Sequence, residues 1–396
     1  MVYQEDFLVE RWMDEFETKV DYNIAETCCY SYSLNQVAEL VGETVPLEQI
    51  ANKRLTYGDI PGSKELLSTI ADLTNEGSNG PHKVTGENVI VTNGGIGANF
   101  LLYYTLVGPG DHVIVVDPAY QQLNSVPAVF GGQVEKLVLR PENNYLPDIE
   151  ELKKMVVKGK TKLININNPH NPSGSVIPEE ILTQIVDIAR EADAYVVCDE
   201  VYRPLYHSLP AGMAEPSSIA TLYEKGISTS SVSKAYGLAG LRLGWIVTPD
   251  KSVIEECSKR RDYSTICVSS VNDILANWAL SNRHKLLEAN KRMCVEQLDI
   301  LDKFVQASNG ALTYVKPQAG TTVFVKITGC SDTEAFCREL ANQYKTLAVP
   351  GETFGYPGYL RIGYANHRSE LIAGLENIKQ LLIKSGRLPK DHKGWN

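Results

Sequence analysis

Five short runs rich in β-branched or small residues recur along the chain with helical stretches between them: Val89 to Thr92, Val113 to Asp117, Leu163 to Asn167, Tyr195 to Asp199 and Gly226 to Ser231. Strands that alternate with helices are joined by crossovers rather than hairpins. The expected fold is therefore α/β, a mainly parallel central sheet covered by helices. One crossover is legible in EEILTQIVDIAREADA, where Ile181, Leu182, Ile185 and Ile188 fall at helical spacing and leave Glu179, Gln184, Asp187 and Arg190 for solvent. After GWIVTPD the chain turns helix-rich to about residue 310. A strand-like Gly320 to Lys326, a helix in DTEAFCRELANQY, a short strand at Tyr359 to Gly363 and a closing helix follow. These predict a smaller α+β C-terminal domain. The expected division is an N-terminal segment, 1–45, that joins the small domain, a large domain, 46–284, and the small domain, 285–396.

Charge narrows the partners. The 396 residues carry 38 Lys and Arg against 48 Asp and Glu, a formal charge of −10, with no long basic run to follow a phosphate backbone. Nucleic acid is disfavoured and small molecules become the default. MVYQEDFLVERWMDEF puts acids where a secretory signal needs a basic start and an apolar run, and no segment reaches the roughly eighteen apolar residues of a membrane span. A cytoplasmic location without membrane contact is expected. The eight cysteines show no CxxC pair and no zinc-like spacing with histidine, so no metal site is predicted and they are read as reduced thiols. The adjacent Cys28 and Cys29 are read as small buried side chains.

In an open α/β sheet, ligands gather where the strands end. The residues there are TNGGIGAN, DPAY, NNPHNPSG, DEVY and SSVSK, in strand order. Gly94, Gly95 and Ile96 end a strand and open a helix, where free backbone amides and the helix dipole stabilise an anion such as phosphate. The loop is neither GxGxxG nor a Walker loop, which counts against NAD and ATP. Lys234 sits among small hydroxyl residues at another strand end, where burial is expected to depress its pKa and make the amine nucleophilic toward an aldehyde. Ser231, Ser233 and Arg242 are suited to hold a phosphate close by. A lysine that condenses with an aldehyde, next to a phosphate cradle, points to pyridoxal 5'-phosphate (PLP). That cofactor also needs a fixed carboxylate to keep its ring nitrogen protonated, and Asp199 is positioned for it.

SSVSKAYGLAGLRLGW, together with the ordered set from Tyr57 to Arg361, resembles the class I/II aminotransferases, fold type I PLP-dependent enzymes. The resemblance implies that Lys234 forms the internal aldimine and, once displaced by substrate, moves the proton between Cα and C4′. It implies that Asp199 pairs with the pyridinium nitrogen and that Tyr202 and Asn171 hydrogen-bond the ring's 3-oxygen. Tyr120 would stack on the ring, and Gly94, Gly95 and Ile96 would bind the phosphate with Ser231, Ser233 and Arg242. Tyr57, in YGDIPG, looks like the tyrosine that reaches across a homodimer interface to the neighbouring phosphate. Arg361, in YLRIGYA, resembles the clamp for the substrate α-carboxylate, assisted by Asn171. The large domain, 46–284, is then the PLP-binding one.

Two features depart from the family pattern. Ile96 stands where many relatives carry a hydroxyl or charged residue, so its phosphate contact would be through the backbone alone. NIAETCCYSYSL replaces a glycine-containing segment that borders the substrate, which makes Glu26, Thr27 and Cys28 candidate pocket residues. The implied reaction is ping-pong amino transfer between an L-amino acid and a 2-oxo acid. The alternative is β-elimination, replacement or cyclisation of an arginine-type amino acid, because RDYST, AGTTVF and VPGETFG resemble the branch containing capreomycidine synthase. In that case Glu26 is the candidate partner for a guanidinium. A ligand-sensing module without turnover is disfavoured because the acidic stretch before Tyr57 shows no basic helix-turn-helix.

Overall fold

All five runs are strands of one seven-stranded sheet in the computed structural model, which describes residues 4–390. The outer ends of the expected N-terminal segment and small domain, residues 1–3 and 391–396, lie outside the described residues. Across the sheet the order is Val89–Thr92, Gly244–Val247, Gly226–Ser231, Tyr195–Asp199, Thr161–Asn167, His112–Asp117 and Gln133–Val138. Neighbours run parallel except Gly244–Val247, which is antiparallel to both strands beside it.

Alternate residues of one strand serve two cores. Ile114 and Val116 enter the larger apolar cluster, while Val113 and Val115 enter a second cluster on the opposite face. Burial on both faces is why these runs read as continuous apolar segments rather than alternating ones. The crossover helix Glu179–Ala192 buries Leu182, Ile185, Val186, Ile188 and Ala189, and full burial of each of its larger aliphatic side chains contributes about 2 kcal/mol. Glu179 is not left to solvent as its spacing predicts: it accepts hydrogen bonds from the Ser217 amide at 2.8 Å and hydroxyl at 2.6 Å.

The strand Gly226–Ser231 is wholly buried although Ser228, Thr229 and Ser230 are polar. Their hydroxyls are satisfied internally, by Glu200 Oε2 at 2.8 Å, Asn99 Oδ1 at 2.6 Å and the Glu200 carbonyl at 3.1 Å. At the other edge, Gln133–Val138 exposes Gln133, Glu135 and Lys136, the charged pattern that protects an unpaired strand edge.

A second sheet of four antiparallel strands follows, ordered Val349–Pro350, Tyr359–Gly363, Thr322–Ile327 and Leu312–Tyr314. The 25-residue helix Arg283–Ala307 precedes it and Arg368–Lys384 closes the described chain. Near the start, helix Leu8–Phe16 buries Val9, Trp12 and Phe16, and the Trp12 indole donates to the Ala348 carbonyl at 3.0 Å. Tyr22–Asn23 then pairs in parallel with Thr346–Leu347, so the first residues are bonded to the part of the chain that forms the second sheet. No helix among the described residues is long and apolar enough to cross a membrane.

Candidate active site

Residues following the five strand ends converge on one cavity of about 390 Å³. Gly95 and Ile96 come from the turn after Val89–Thr92, Tyr120 from the loop after His112–Asp117, and Asn171 from the turn after Thr161–Asn167. Asp199 and Tyr202 lie at the end of the next strand, and Ser231, Ser233 and Lys234 at the end of Gly226–Ser231. Arg242 enters just before Gly244–Val247, and Arg361 enters from the second sheet.

Gly94 stands immediately behind that wall. Its φ of +72° favours glycine, and a Cβ there would lie 2.8 Å from Arg242 Nη2. A Cβ on Gly244 would lie 2.3 Å from the Gly94 carbonyl carbon, so strand and turn approach backbone to backbone. Beyond this turn the helix Gly94–Leu106 begins, with its first amides free for an anion. Tyr57 is elsewhere: it is 74% exposed and borders a separate surface depression with Leu55 and Val268.

Asp199 is buried, and its two oxygens accept from Asn99 Nδ2 at 3.0 Å and from the Val201 amide at 3.1 Å. Burial raises its pKa to about 6 even though both hydrogen bonds favour the carboxylate. Asn99, in turn, accepts from Thr229 Oγ1 at 2.6 Å, which fixes the amide that faces Asp199. The strand-end motifs do not single out Asn99, yet it follows Gly95 by one helical turn and so shares its face. Asn167, the first residue of NNPHNPSG, is likewise not singled out: its Nδ2 donates to the Asp199 carbonyl at 2.7 Å and its Oδ1 accepts the Asn171 amide at 2.6 Å.

Lys234 Nζ donates to Thr27 Oγ1 at 2.6 Å and contacts Cys28 Sγ at 3.6 Å. Burial pulls the amine's pKa down, but Cys28, Tyr202 and Glu26 around it outweigh burial and carry it above its ordinary value. The depressed amine expected from the sequence is therefore not found. Burial pushes the Cys28 thiol up to about 11 and raises the Tyr202 phenol as well, so the anion standing at neutral pH is Glu26. Burial would raise Glu26 too, yet the Lys234 amine and the Cys28 and Thr27 amides, at 2.9 and 2.7 Å, hold it low.

Glu26, Thr27 and Cys28 reach the lysine because the chain is pressed onto two glycines. A Cβ on Gly363 would lie 1.7 Å from the Glu26 carbonyl oxygen, and one on Gly237, whose φ is +67°, would lie 2.6 Å from that of Tyr30. The Cys29 amide donates to the Lys234 carbonyl at 3.0 Å, and Thr321 Oγ1 donates to the Thr27 carbonyl at 2.6 Å. Glu10, Met13 and Glu17, which no sequence motif marks, complete this side of the wall.

Three buried polar atoms on lining residues lack a partner: Asn171 Oδ1, the Tyr202 hydroxyl and Arg361 Nε. Such atoms are costly to bury unsatisfied, so they fit a polar ligand in the cavity. The donor set suits PLP at each end: an amine for its aldehyde, a buried carboxylate for its ring nitrogen, and a glycine turn with hydroxyls and an arginine for its phosphate. Fold and site together define a fold type I PLP-dependent enzyme. The chain belongs to the aminotransferase class I and II family, whose sequence model matches residues 29–375. It is 30% identical over 378 residues to capreomycidine synthase of Streptomyces vinaceus, covering 96% of this chain and 92% of that one. It is 32% identical over 301 residues to an aspartate aminotransferase of Pyrococcus horikoshii, covering 75% of each. Among solved structures, a PLP-dependent aminotransferase from Streptococcus suis superposes with a TM-score of 0.89 at 36% identity, covering 96% of this chain and 98% of that one.

Proposed function

We propose that this PLP-dependent enzyme moves the amino group between an L-amino acid and a 2-oxo acid in two half-reactions, as a cytoplasmic homodimer. PLP, when bound, supplies an electron sink for the pair left on Cα and carries the amino group from donor to acceptor. Lys234 Nζ would hold the cofactor and, when displaced, is the base that takes the proton from Cα. Asp199 would keep the ring nitrogen protonated, with Asn99 fixing the carboxylate's orientation. Tyr202 and Asn171 are donors for the ring oxygen, and Tyr120 is the aromatic face beside it. The amides of Gly94, Gly95 and Ile96, with Ser231, Ser233 and Arg242, would bind the phosphate. Arg361 would take the α-carboxylate bidentately, assisted by Asn171. The large domain of this reading is 46–284, with 1–45 and 285–396 forming the part that carries Arg361.

The observation that carries the proposal is the set of unpartnered buried polar atoms on Asn171, Tyr202 and Arg361, lining the same cavity as Lys234 and Asp199. Mixing the cofactor-loaded enzyme with single amino acids tests it. A productive donor shifts the visible band of the bound cofactor and releases one equivalent of 2-oxo acid per site. If no amino acid in the panel does either, the reading fails.

A second reading, β-elimination or cyclisation, is favoured by the similarity to capreomycidine synthase over 96% of the chain. The same experiment separates the two, because elimination releases the β-substituent and leaves the cofactor band restored without a 2-oxo acid acceptor.

The homodimer is supported by apolar side chains left in water on one chain. Leu55 is 85% exposed, Tyr57 74% and Tyr263 87%, and Tyr263 borders a depression with Ile96, Phe100 and Tyr104. A second copy would cover this surface and bring Tyr57 to the neighbouring phosphate. Sedimentation is expected to give twice the 43.8 kDa chain mass, and a fully active monomer would contradict the proposal.

A further inference from the structure

The proposed reading joins the cofactor to Lys234 and leaves open what sets the charge on that nitrogen. Five groups face it: Glu26 and Cys28 from the N-terminal segment, Asp199 and Tyr202 from the end of strand Tyr195–Asp199, and Arg361 from the second sheet. Cys28 and Tyr202 are neutral near pH 7, because burial raises both. Arg361 is a cation and opposes a second positive charge beside it. Asp199 accepts from Asn99 and Val201, and the proposed reading gives its charge to the ring nitrogen. Glu26 is the carboxylate that remains for Lys234.

The backbone fastens that carboxylate in place. Glu26 Oε1 accepts the Thr27 and Cys28 amides at 2.7 and 2.9 Å, and the side chains of these same two residues touch Lys234 Nζ, Thr27 Oγ1 at 2.6 Å and Cys28 Sγ at 3.6 Å. One turn of chain therefore carries both the charge and the acceptors that meet the amine. The turn is itself held from three sides. The Glu26 carbonyl is pressed onto Gly363, the Cys29 amide donates to the Lys234 carbonyl at 3.0 Å, and Thr321 Oγ1 donates to the Thr27 carbonyl at 2.6 Å. A charge fixed in this way inside a cavity is screened less than one on a free surface arm.

We propose that Glu26 is the counter-ion of the Lys234 nitrogen, holding it protonated both as a free amine and when joined to the cofactor, with Thr27 Oγ1 as the acceptor that seats it. Glu26 and Thr27 are thus positioning residues that act through Lys234. The inference deepens the proposed function and rests on it only for the attachment of the cofactor to Lys234. A protonated link between amine and aldehyde carbon is the electrophilic form, so the enzyme stands ready for an incoming amine across neutral pH.

The test titrates the visible band of the cofactor-loaded protein with pH, no amino acid being present. Glu26→Gln removes the charge and keeps an oxygen for the two amides. The protonated form of the band is expected to be lost about one pH unit lower in this variant than in the wild type, the order an opposite charge at close range supplies. Thr27→Val, which removes the acceptor and keeps the shape, should move the titration the same way by less. Glu180→Gln, an equal charge change on an exposed residue away from the cavity, should leave it where it is. A second measurement uses the cofactor-free protein. Cyanate attacks only the neutral amine, so the rate at which Lys234 is carbamylated at pH 8, followed by peptide mass mapping, should rise about tenfold in Glu26→Gln. A titration in Glu26→Gln lowered by less than half a unit overturns the inference. If the titration moves as expected but no amino acid yields a 2-oxo acid, the inference holds and the proposed function fails. If no visible band forms on Lys234, the cofactor's placement fails with it. Carbamylation then decides, with equal rates overturning the inference and a faster variant upholding it.

Discussion

Replacing Lys234 by alanine is expected to lower amino-transfer turnover by about 10⁴-fold or more while leaving the fold intact. Among the described residues Lys234 is the one lysine that lines the cavity, so no neighbour can take over proton movement at Cα. The substitution removes an amine surrounded by Thr27, Cys28 and Glu26, introduces no bulk, and leaves Glu26 with its two backbone amides. Circular dichroism should therefore match that of the wild type. Borohydride treatment followed by peptide mass mapping gives the second readout. It should fix the cofactor's mass on the peptide containing Lys234 in the wild type and on no peptide in the variant. Turnover within tenfold of wild type would show that the proton is carried by another group and remove Lys234 from the centre of the mechanism.

Asp199→Asn is expected to move two measurements in opposite directions. In the cofactor-free protein the carboxyl titrates at about 6 against an ordinary 3.8. Between those values the folded state holds a proton that the unfolded state has lost, so stability falls as pH rises through that window. Above about 6 the full penalty is present, roughly 3 kcal/mol for a shift of this size. Asparagine removes the buried charge and forfeits one accepted hydrogen bond worth about 1 kcal/mol, which leaves a net stabilisation of about 2 kcal/mol near neutral pH. Below about pH 4 the penalty is gone and only the lost hydrogen bond remains, so the variant should be the less stable by about 1 kcal/mol. Turnover should fall by about 10³-fold, because a neutral amide does not keep the ring nitrogen protonated. Thermal melts of the cofactor-free protein at pH 4 and pH 8, beside kcat of the loaded enzyme, check both. A variant that is less stable at pH 8 as well as inactive would mean that Asp199 serves the fold rather than the chemistry.

The strand-end loops were legible because their residues are costly anywhere else. Glycine at a strand-to-helix turn, an aspartate closing an apolar run and a lysine among serines each violate what a buried segment would otherwise contain, and they recur in the order of the strands. The N-terminal wall was less legible. Glu10, Met13 and Glu17 sit on an amphipathic helix whose polar stripe looks solvent-facing in sequence, and only its docking through Trp12 and the pairing of Tyr22–Asn23 with Thr346–Leu347 turns that stripe toward the cavity. The edge strand Gln133–Val138 escaped notice because edge protection replaces apolar residues with charged ones. The raised pKa of Lys234 could not be read from its neighbours in sequence, since Glu26 and Cys28 lie some two hundred positions away.

The seat of Glu26 on Gly363 has a bearing on how relatives are compared. The region matched by the family's sequence model begins at residue 29, after Glu10, Met13, Glu17, Glu26 and Thr27 have passed. Grouping homologues by that region leaves these five wall residues uncounted. A polypeptide trimmed to the same boundary would keep the lysine loop and lose one side of the cup.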